Sequence, residues 1–266
     1  MTSTRRPWWR RALRVLGVLL LLAAVAVVVV GFVLHEPRPT NARPGPEAER
    51  HAHALLTAVD GDAWDRTGAV RWTFAGRQEH LWDKARGYAR VRWSDVEVLL
   101  RLHDRSGVAT IGGARVSGEE ARELREQAYA HWINDSFWLN PVVKLFDDGT
   151  TRALVAQPGR SPGSAGSAAD GSNALLLSYA SGGLTPGDAY LWIGDPSSPP
   201  RAWKMWVSIL PIGGVECTWD RWQTLATGAK VSTRHDCGFF VLELTDVEGA
   251  VDVVTLEGED PFAALE

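Results

Sequence analysis

From Val15 to Leu34 the chain runs 20 residues without a charge. In a helix rising about 1.5 Å per residue, about 20 apolar residues cross the hydrocarbon core of a bilayer. Arg5, Arg6, Arg10, Arg11 and Arg14 precede the run with no acid among them, and Trp8 and Trp9 stand where an aromatic belt meets the headgroups. Basic residues on the N-terminal flank predict that this end stays in the cytoplasm and that everything after His35 lies outside. A cleaved signal peptide is the alternative. Its apolar region usually runs about 7–15 residues and ends at a small-x-small site. The run here is longer and no clear site of that kind follows it, which favours an uncleaved single-pass anchor.

The anchor splits the charge. The whole chain has 28 Lys+Arg against 32 Asp+Glu, a net charge of −4; setting the five anchor arginines aside leaves 23 basic against 32 acidic residues, so the outer part carries about −9. Such a balance lacks the basic footprint of a nucleic-acid binder. It also does not draw the outer part flat onto an anionic membrane. Pro37, Pro39, Pro44 and Pro46 predict an extended, semi-rigid spacer within Glu36–Arg50. The organisation read from this is a cytoplasmic stretch at 1–14, the anchor at 15–34, a Pro-rich linker at 35–46, a domain at 47–258 and a tail at 259–266. With 45% hydrophobic and 23% charged residues, the chain has the composition of a globular protein.

Within the domain the hydrophobic period is mostly two. Val70–Phe74, Tyr88–Trp93 and Val96–Leu102 alternate apolar and polar residues, as half-buried strands do, and Val108–Ile111 begins another. Thr151–Ala156, Ala174–Tyr179, Ala189–Ile193, Ala202–Leu210, Val215–Leu225, Ala229–His235 and Phe239–Thr245 follow, with Val251–Thr255 as an edge. Residues 158–173 are rich in Gly, Ser and Ala and read as a flexible loop. Two helices interrupt the strands. One covers Glu47–Val59. The other starts at Ser117, with Glu120 completing a capping box, runs to about Trp132 and stops at Asn134-Asp135. The absence of βαβ alternation predicts a mainly β (α+β) domain, a curved antiparallel sheet or incomplete barrel of about 10–12 strands covered by one or two helices.

Cys217 and Cys237 flank a hairpin whose expected turn is Thr227-Gly228, and residue 227 is their midpoint. That register sets the two cysteines opposite each other. Outside the cytoplasm a disulfide persists; two buried free thiols are the alternative.

Three strings carry a resemblance: Phe74-Ala-Gly-Arg-Gln-Glu-His80-Leu-Trp82-Asp83-Lys84 with Gly87-Tyr88-Ala89-Arg90-Val91, His131-Trp132-Ile133-Asn134-Asp135-Ser136-Phe137-Trp138-Leu139, and Gly182-Gly183-Leu184-Thr185-Pro186-Gly187-Asp188-Ala189-Tyr190. In order and spacing, over about residues 50–245, they resemble an uncharacterised family of exported bacterial proteins that looks like a branch of the LolA-like fold of periplasmic lipoprotein and lipid carriers. The resemblance implies a half-barrel whose concave face is covered by helices and holds acyl chains. Well-known carriers of this fold are soluble or lipid-anchored, whereas the uncharged run here predicts a place in the bacterial cytoplasmic membrane with the domain periplasmic. The resemblance supplies no catalytic residues.

A lipid groove needs a concave apolar wall. The inward positions that alternation selects are Val70, Trp72, Phe74, Val91, Trp93, Val98, Leu100, Leu102, Trp203, Met205, Val207 and Ile209, of which all but Val70, Leu102 and Ile209 are taken as the wall; each also suits a plain core. Trp132, Phe137, Trp138 and Leu139 suit either a lid over that groove or a helix end packed into the core. His80 and Asp83 offer an imidazole and a carboxylate, with Lys84, Arg86 or Arg90 as partners for Asp83 at a strand end; they read as a solvated turn, a buried acid–base pair being the alternative. There is no GxSxG, HExxH or GxGxxG motif, and the seven histidines show no ligand spacing, so no enzyme, metal or cofactor is expected. Two functions follow: a membrane-tethered binding protein that holds a lipid, a lipoprotein acyl chain or another amphiphile, or an envelope scaffold or sensor with a filled core that binds a protein partner.

Overall fold

The computed structural model describes residues 34–156, 173–181 and 185–266, together with Leu16 and Gly31. The expected anchor, apart from Leu16, Gly31 and Leu34, and nearly all of the expected loop at 158–173 lie outside the described residues. Among the described residues no helix is long and apolar enough to cross a membrane.

The fold is mainly β, built as two wholly antiparallel sheets. Six strands form one: β1 (Arg43–Pro44), β8 (Thr150–Ala156), β9 (Asn173–Tyr179), β10 (Ala189–Ile193), β11 (Ala202–Trp206) and β12 (Val215–Thr218), in that spatial order. Nine form the other, in the order β13 (Asp220–Thr224), β14 (Lys230–Asp236), β15 (Val241–Ala250), β2 (Ala69–Phe74), β3 (Gln78–Asp83), β4 (Tyr88–Trp93), β5 (Val96–Arg101), β6 (Gly107–Ile111) and β7 (Ala114–Val116). Helices α1 (Pro46–Ala58), α2 (Gly61–Arg66), α3 (Gly118–Leu139) and α4 (Val253–Glu257) complete the described elements, besides two short 3-10 turns. Neither sheet closes into a barrel. The strands exceed the expected 10–12 and divide between two sheets rather than one.

The division falls at Trp219. The single strand expected over Val215–Leu225 is broken there into β12 and β13, one in each sheet. The Trp219 amide donates to the carbonyl of Arg201 at 2.7 Å and its indole is buried, so the chain turns inward as it changes sheets. The cysteines span the same junction. β13 and β14 pair Asp220 with Arg234 and Trp222 with Ser232, the register centred on residue 227. Cys217 belongs to β12 in the other sheet, so the Cys217–Cys237 disulfide covalently joins the two sheets.

Four further expectations are corrected. The span 78–83 is a strand, because Ala75 and Gly76 take left-handed φ of 50° and 65° and turn β2 directly back into β3. The second helix does not stop at Asn134-Asp135 but continues to Leu139, and Ser117 makes no side-chain capping bond. Tertiary contacts of its last turns override the weak local helix propensity. Residues 253–257 form α4 in place of an edge strand, capped by the Asp252 carboxylate, which accepts from the Thr255 amide at 2.7 Å. The tail belongs to the domain. Phe262 and Leu265 are buried with Ala69, Leu81 and Leu99, while Arg86 reaches both oxygens of Asp260 at 2.7 Å.

The Pro-rich segment also differs from a free spacer. The Glu36 amide donates to the Gly213 carbonyl at 3.0 Å, the Trp206 indole donates to the Glu36 carbonyl at 2.7 Å, and Lys204 pairs with the Glu36 carboxylate at 2.5 Å. Arg43 and Pro44 then add an edge strand to β8, a place that tolerates a residue without an N–H. The described domain therefore begins at residue 35.

Candidate functional site

α3 lies across the nine-stranded sheet and reaches the junction with its last turns. Its first half packs Ala121 and Ala128 onto Val91, Val98, Leu100 and Ala109. Strand register puts Trp72, His80, Val91, Val98 and Ala109 in one row across β2 to β6. His80 thus stands in the middle of the expected wall. Its Nε2 donates to Asp135 Oδ2 of α3 at 2.7 Å, and its ring stacks on Trp72 at 4.6 Å. Asn134 Nδ2 donates to the other Asp135 oxygen at 2.9 Å. The His80 and Asp135 side chains are 0% and 3% exposed. A histidine oriented by a carboxylate is half of a general-base arrangement, but this pair is sealed from solvent. What it does in this structure is fasten α3 to β3.

The end of α3 enters a continuous aromatic cluster. The Trp138 ring lies 5.0 Å from Trp203 and 5.3 Å from His235, and Phe137 lies 5.1 Å from Tyr190. Trp203 lies 5.2 Å from Trp192 and 4.9 Å from Trp219, which meets His235 at 4.2 Å. His235 Nδ1 faces the Thr218 carbonyl at 3.2 Å, which requires the proton on Nδ1. Burial pushes this histidine down to about 4, so it is neutral at pH 7. The buried phenols of Tyr179 and Tyr190 are pushed up for the same reason. Among the described residues, the buried indole N–H groups of Trp72, Trp82, Trp132, Trp192, Trp203 and Trp219 have no hydrogen-bond acceptor.

The expected wall residues are placed in three clusters rather than one groove. Trp72 and half-buried Phe74 pack with Trp64, Leu139, Leu225 and Val231. Val91, Val98 and Leu100 lie under α3 with Trp93 at their rim. Trp203, Met205 and Val207 lie with Leu55 and Val59 of α1 and with Leu175 and Leu177. Val91, Val98, Leu100 and Trp203 are 0% exposed, and Trp72, at 1%, borders the smaller of two surface recesses. Of the expected lid, Leu139 is wholly buried, and Trp132, Phe137 and Trp138 are partly buried against these clusters. Asp83, expected on a solvated turn, is buried and accepts from Arg86 Nε at 2.7 Å. Two recesses lie at the surface and are polar. One of about 310 Å³ is lined by Arg77, Glu79, Arg92, Trp93, Asp95 and Glu97, and one of about 280 Å³ by Arg71, Arg90, Asp246 and Glu257 among others. Among the described residues no three His, Cys, Asp or Glu side chains converge as metal ligands would.

Sequence reasoning missed His80, Asp135 and His235 as interior groups. The available signal was period two: His80 and Trp82 alternate with Glu79 and Leu81, and His235 continues the face of Val231.

The molecule is thus an α+β protein of two antiparallel sheets joined by a disulfide, with an aromatic interior. No protein-family model matches the sequence, and no curated protein matches it. Among solved structures it is similar to a DUF1329 family protein from Desulfovibrio piger ATCC 29098. The identity is 11% over 82% of this chain and 98% of that one, with a TM-score of 0.39, too low to support any inference.

Proposed function

We propose that this protein is a non-catalytic, membrane-tethered extracytoplasmic binding domain with a filled interior, and that it recognises a protein partner in the envelope through its surface. The observation that carries this reading is the complete burial of Val91, Val98, Leu100 and Trp203. An acyl chain gains about 0.8 kcal/mol per buried CH₂ only where there is space for it. The uncharged run before His35 and the disulfide support the tether and the compartment. The recess around half-buried Trp93 is the surface best suited to a partner, since an aromatic flanked by charged groups is a common anchor of interfaces.

The second reading, an amphiphile held inside as in a LolA-like half-barrel, is favoured by one observation. Interior indole N–H groups such as those of Trp72, Trp192 and Trp203 lack acceptors among the described residues, and an ester carbonyl would satisfy some of them. To admit it, the last turns of α3, with Trp132, Phe137, Trp138 and Leu139, would have to swing out as a lid.

The two readings separate on the full chain reconstituted with a diazirine-bearing phosphatidylcholine. After photolysis, the filled-core reading expects no lipid adduct on the peptides carrying Trp72, Val91, Val98, Leu100 or Trp203. Adducts there would overturn it in favour of the amphiphile. For the partner, a benzophenone amino acid at Glu79, on the Trp93 recess, should give one discrete protein adduct in living cells; its absence would remove that surface.

A further inference from the structure

The end of the domain that meets the anchor carries its most exposed apolar side chains. Ile209 is 70% exposed and Phe239 is 67% exposed, with Phe240 and Val241 beside the latter. They come from different parts of the chain, and the strand register brings them to one end. The β13–β14 pairing, continued past Asp220 and Arg234, runs through the Cys217–Cys237 bond and sets Phe239 level with Val215. Val215 directly follows the loop that holds Ile209 and Ile212. The turn that presents Phe239 and Phe240 is closed by a bond from the Cys237 amide to the Phe240 carbonyl at 2.9 Å, and the disulfide pins its base. The two rings pack against each other at 5.0 Å. The same end receives the chain from the uncharged run. Gly31 lies against Ile212, the Gly213 amide donates to His35 Nδ1 at 3.0 Å, and Glu36 is bound to Gly213 and Trp206.

We propose that this end is a membrane-seating surface, with Ile209 and the Phe239–Phe240 turn inserted into the outer face of the bilayer that Val15–Leu34 crosses. The proposal rests on the anchor reading and goes beyond it. A domain fastened to its anchor at residues 35 and 36 has no free spacer to hold it off. What faces the bilayer is then the surface around His35, where the exposed Ile209 stands in the same loop as Gly213, beside the Glu36–Lys204 ion pair. Aromatic and branched side chains at a membrane interface bind by burying area rather than by charge. Lys204, which pairs with Glu36, has its charge met within the protein. The seat should therefore hold on a zwitterionic membrane.

The test uses the full chain in phosphatidylcholine vesicles, with an environment-sensitive fluorophore on a single added cysteine and no reductant, so that the native disulfide stays closed. Ser208→Cys reports the anchor end. Ala226→Cys reports the far end of the β13–β14 hairpin, up to about 36 Å from the level of Val215 at about 3.3 Å per residue. A quencher carried high on the acyl chain of the lipid should quench the Ser208 probe at least about threefold more than the Ala226 probe. Ile209→Asp with Phe239→Asp should erase that difference while the protein still floats with the vesicles. Equal quenching at both positions in floating protein overturns the seat and leaves the anchor standing. Protein that does not float with the vesicles overturns the anchor and the seat together.

Discussion

His235 shows how one buried side chain makes stability depend on pH. Its folded pKa of about 4 lies below the usual 6.5 because burial penalises the imidazolium. Between those values the unfolded chain binds the extra proton and the folded chain does not, so stability falls as the pH drops from about 6.5 to about 4. The full loss is about 3 kcal/mol, at about 1.4 kcal/mol per pKa unit. The window is separable from that of Asp260, which Arg86 holds down at about 2 against a usual 3.8, so its contribution fades only at lower pH. Urea unfolding at a series of pH values should show the decline, and His235→Gln should flatten it between pH 6.5 and 4. A variant that keeps the full slope would mean that the slope arises elsewhere. At this scale the sequence was least legible. A histidine or aspartate reads as polar in any alternation count. Nothing local announces that His80 and Asp135, 55 residues apart, satisfy each other inside the core.

Elements were far more legible, because period two is a local property. β2, β4 and β10 fall within one residue of their expected limits. The failures have a common cause in contacts from distant sequence. α3 runs through Asn134-Asp135 because Asp135 meets His80 and the following aromatics meet both sheets. β3 was hidden because its apolar partners come from α3 on one side and from the chain's end on the other. That end, taken from sequence as a tail, makes a prediction. Phe262 is wholly buried and touches Tyr88 at 5.8 Å between ring centroids, within the cluster of Leu81, Leu99 and Val253. Phe262→Ala should cost about 3–5 kcal/mol, as buried Phe truncations do. A loss below about 1 kcal/mol in chemical denaturation would show that the end peels away freely. The expected cavity wall is a different matter. Alternation placed Trp72, Val91, Val98, Leu100, Trp203, Met205 and Val207 at buried positions, left Phe74 and Trp93 half-buried and took the exposed Ile209 as inward, and it does not say whether the space before them is filled.

For the whole molecule the governing fact is that two sheets with separate hydrophobic clusters must hold together at one junction. Among the features that cross it are Trp219, where the chain passes from β12 to β13; Trp138, at 5.0 Å from Trp203 in one sheet and 5.3 Å from His235 in the other; the hydrogen bonds of His235 and Asp236 to Thr218; and the disulfide. The midpoint at residue 227 foretold the pairing of the cysteines and the β13–β14 register. It did not foretell that the partners belong to different sheets, because register is local and sheet membership is not. Closing a loop of about 20 residues removes unfolded-state entropy worth about 3 kcal/mol, and Cys217→Ala with Cys237→Ala should lose about that much. The aromatic contacts at the junction remain in that variant, and they bury far more surface than two sulfurs do. Urea unfolding followed by circular dichroism and by tryptophan fluorescence should therefore still give one coincident transition, moved to lower denaturant. Two separated transitions would show that the covalent bond alone couples the sheets and that the shared aromatic cluster does not make them one cooperative unit.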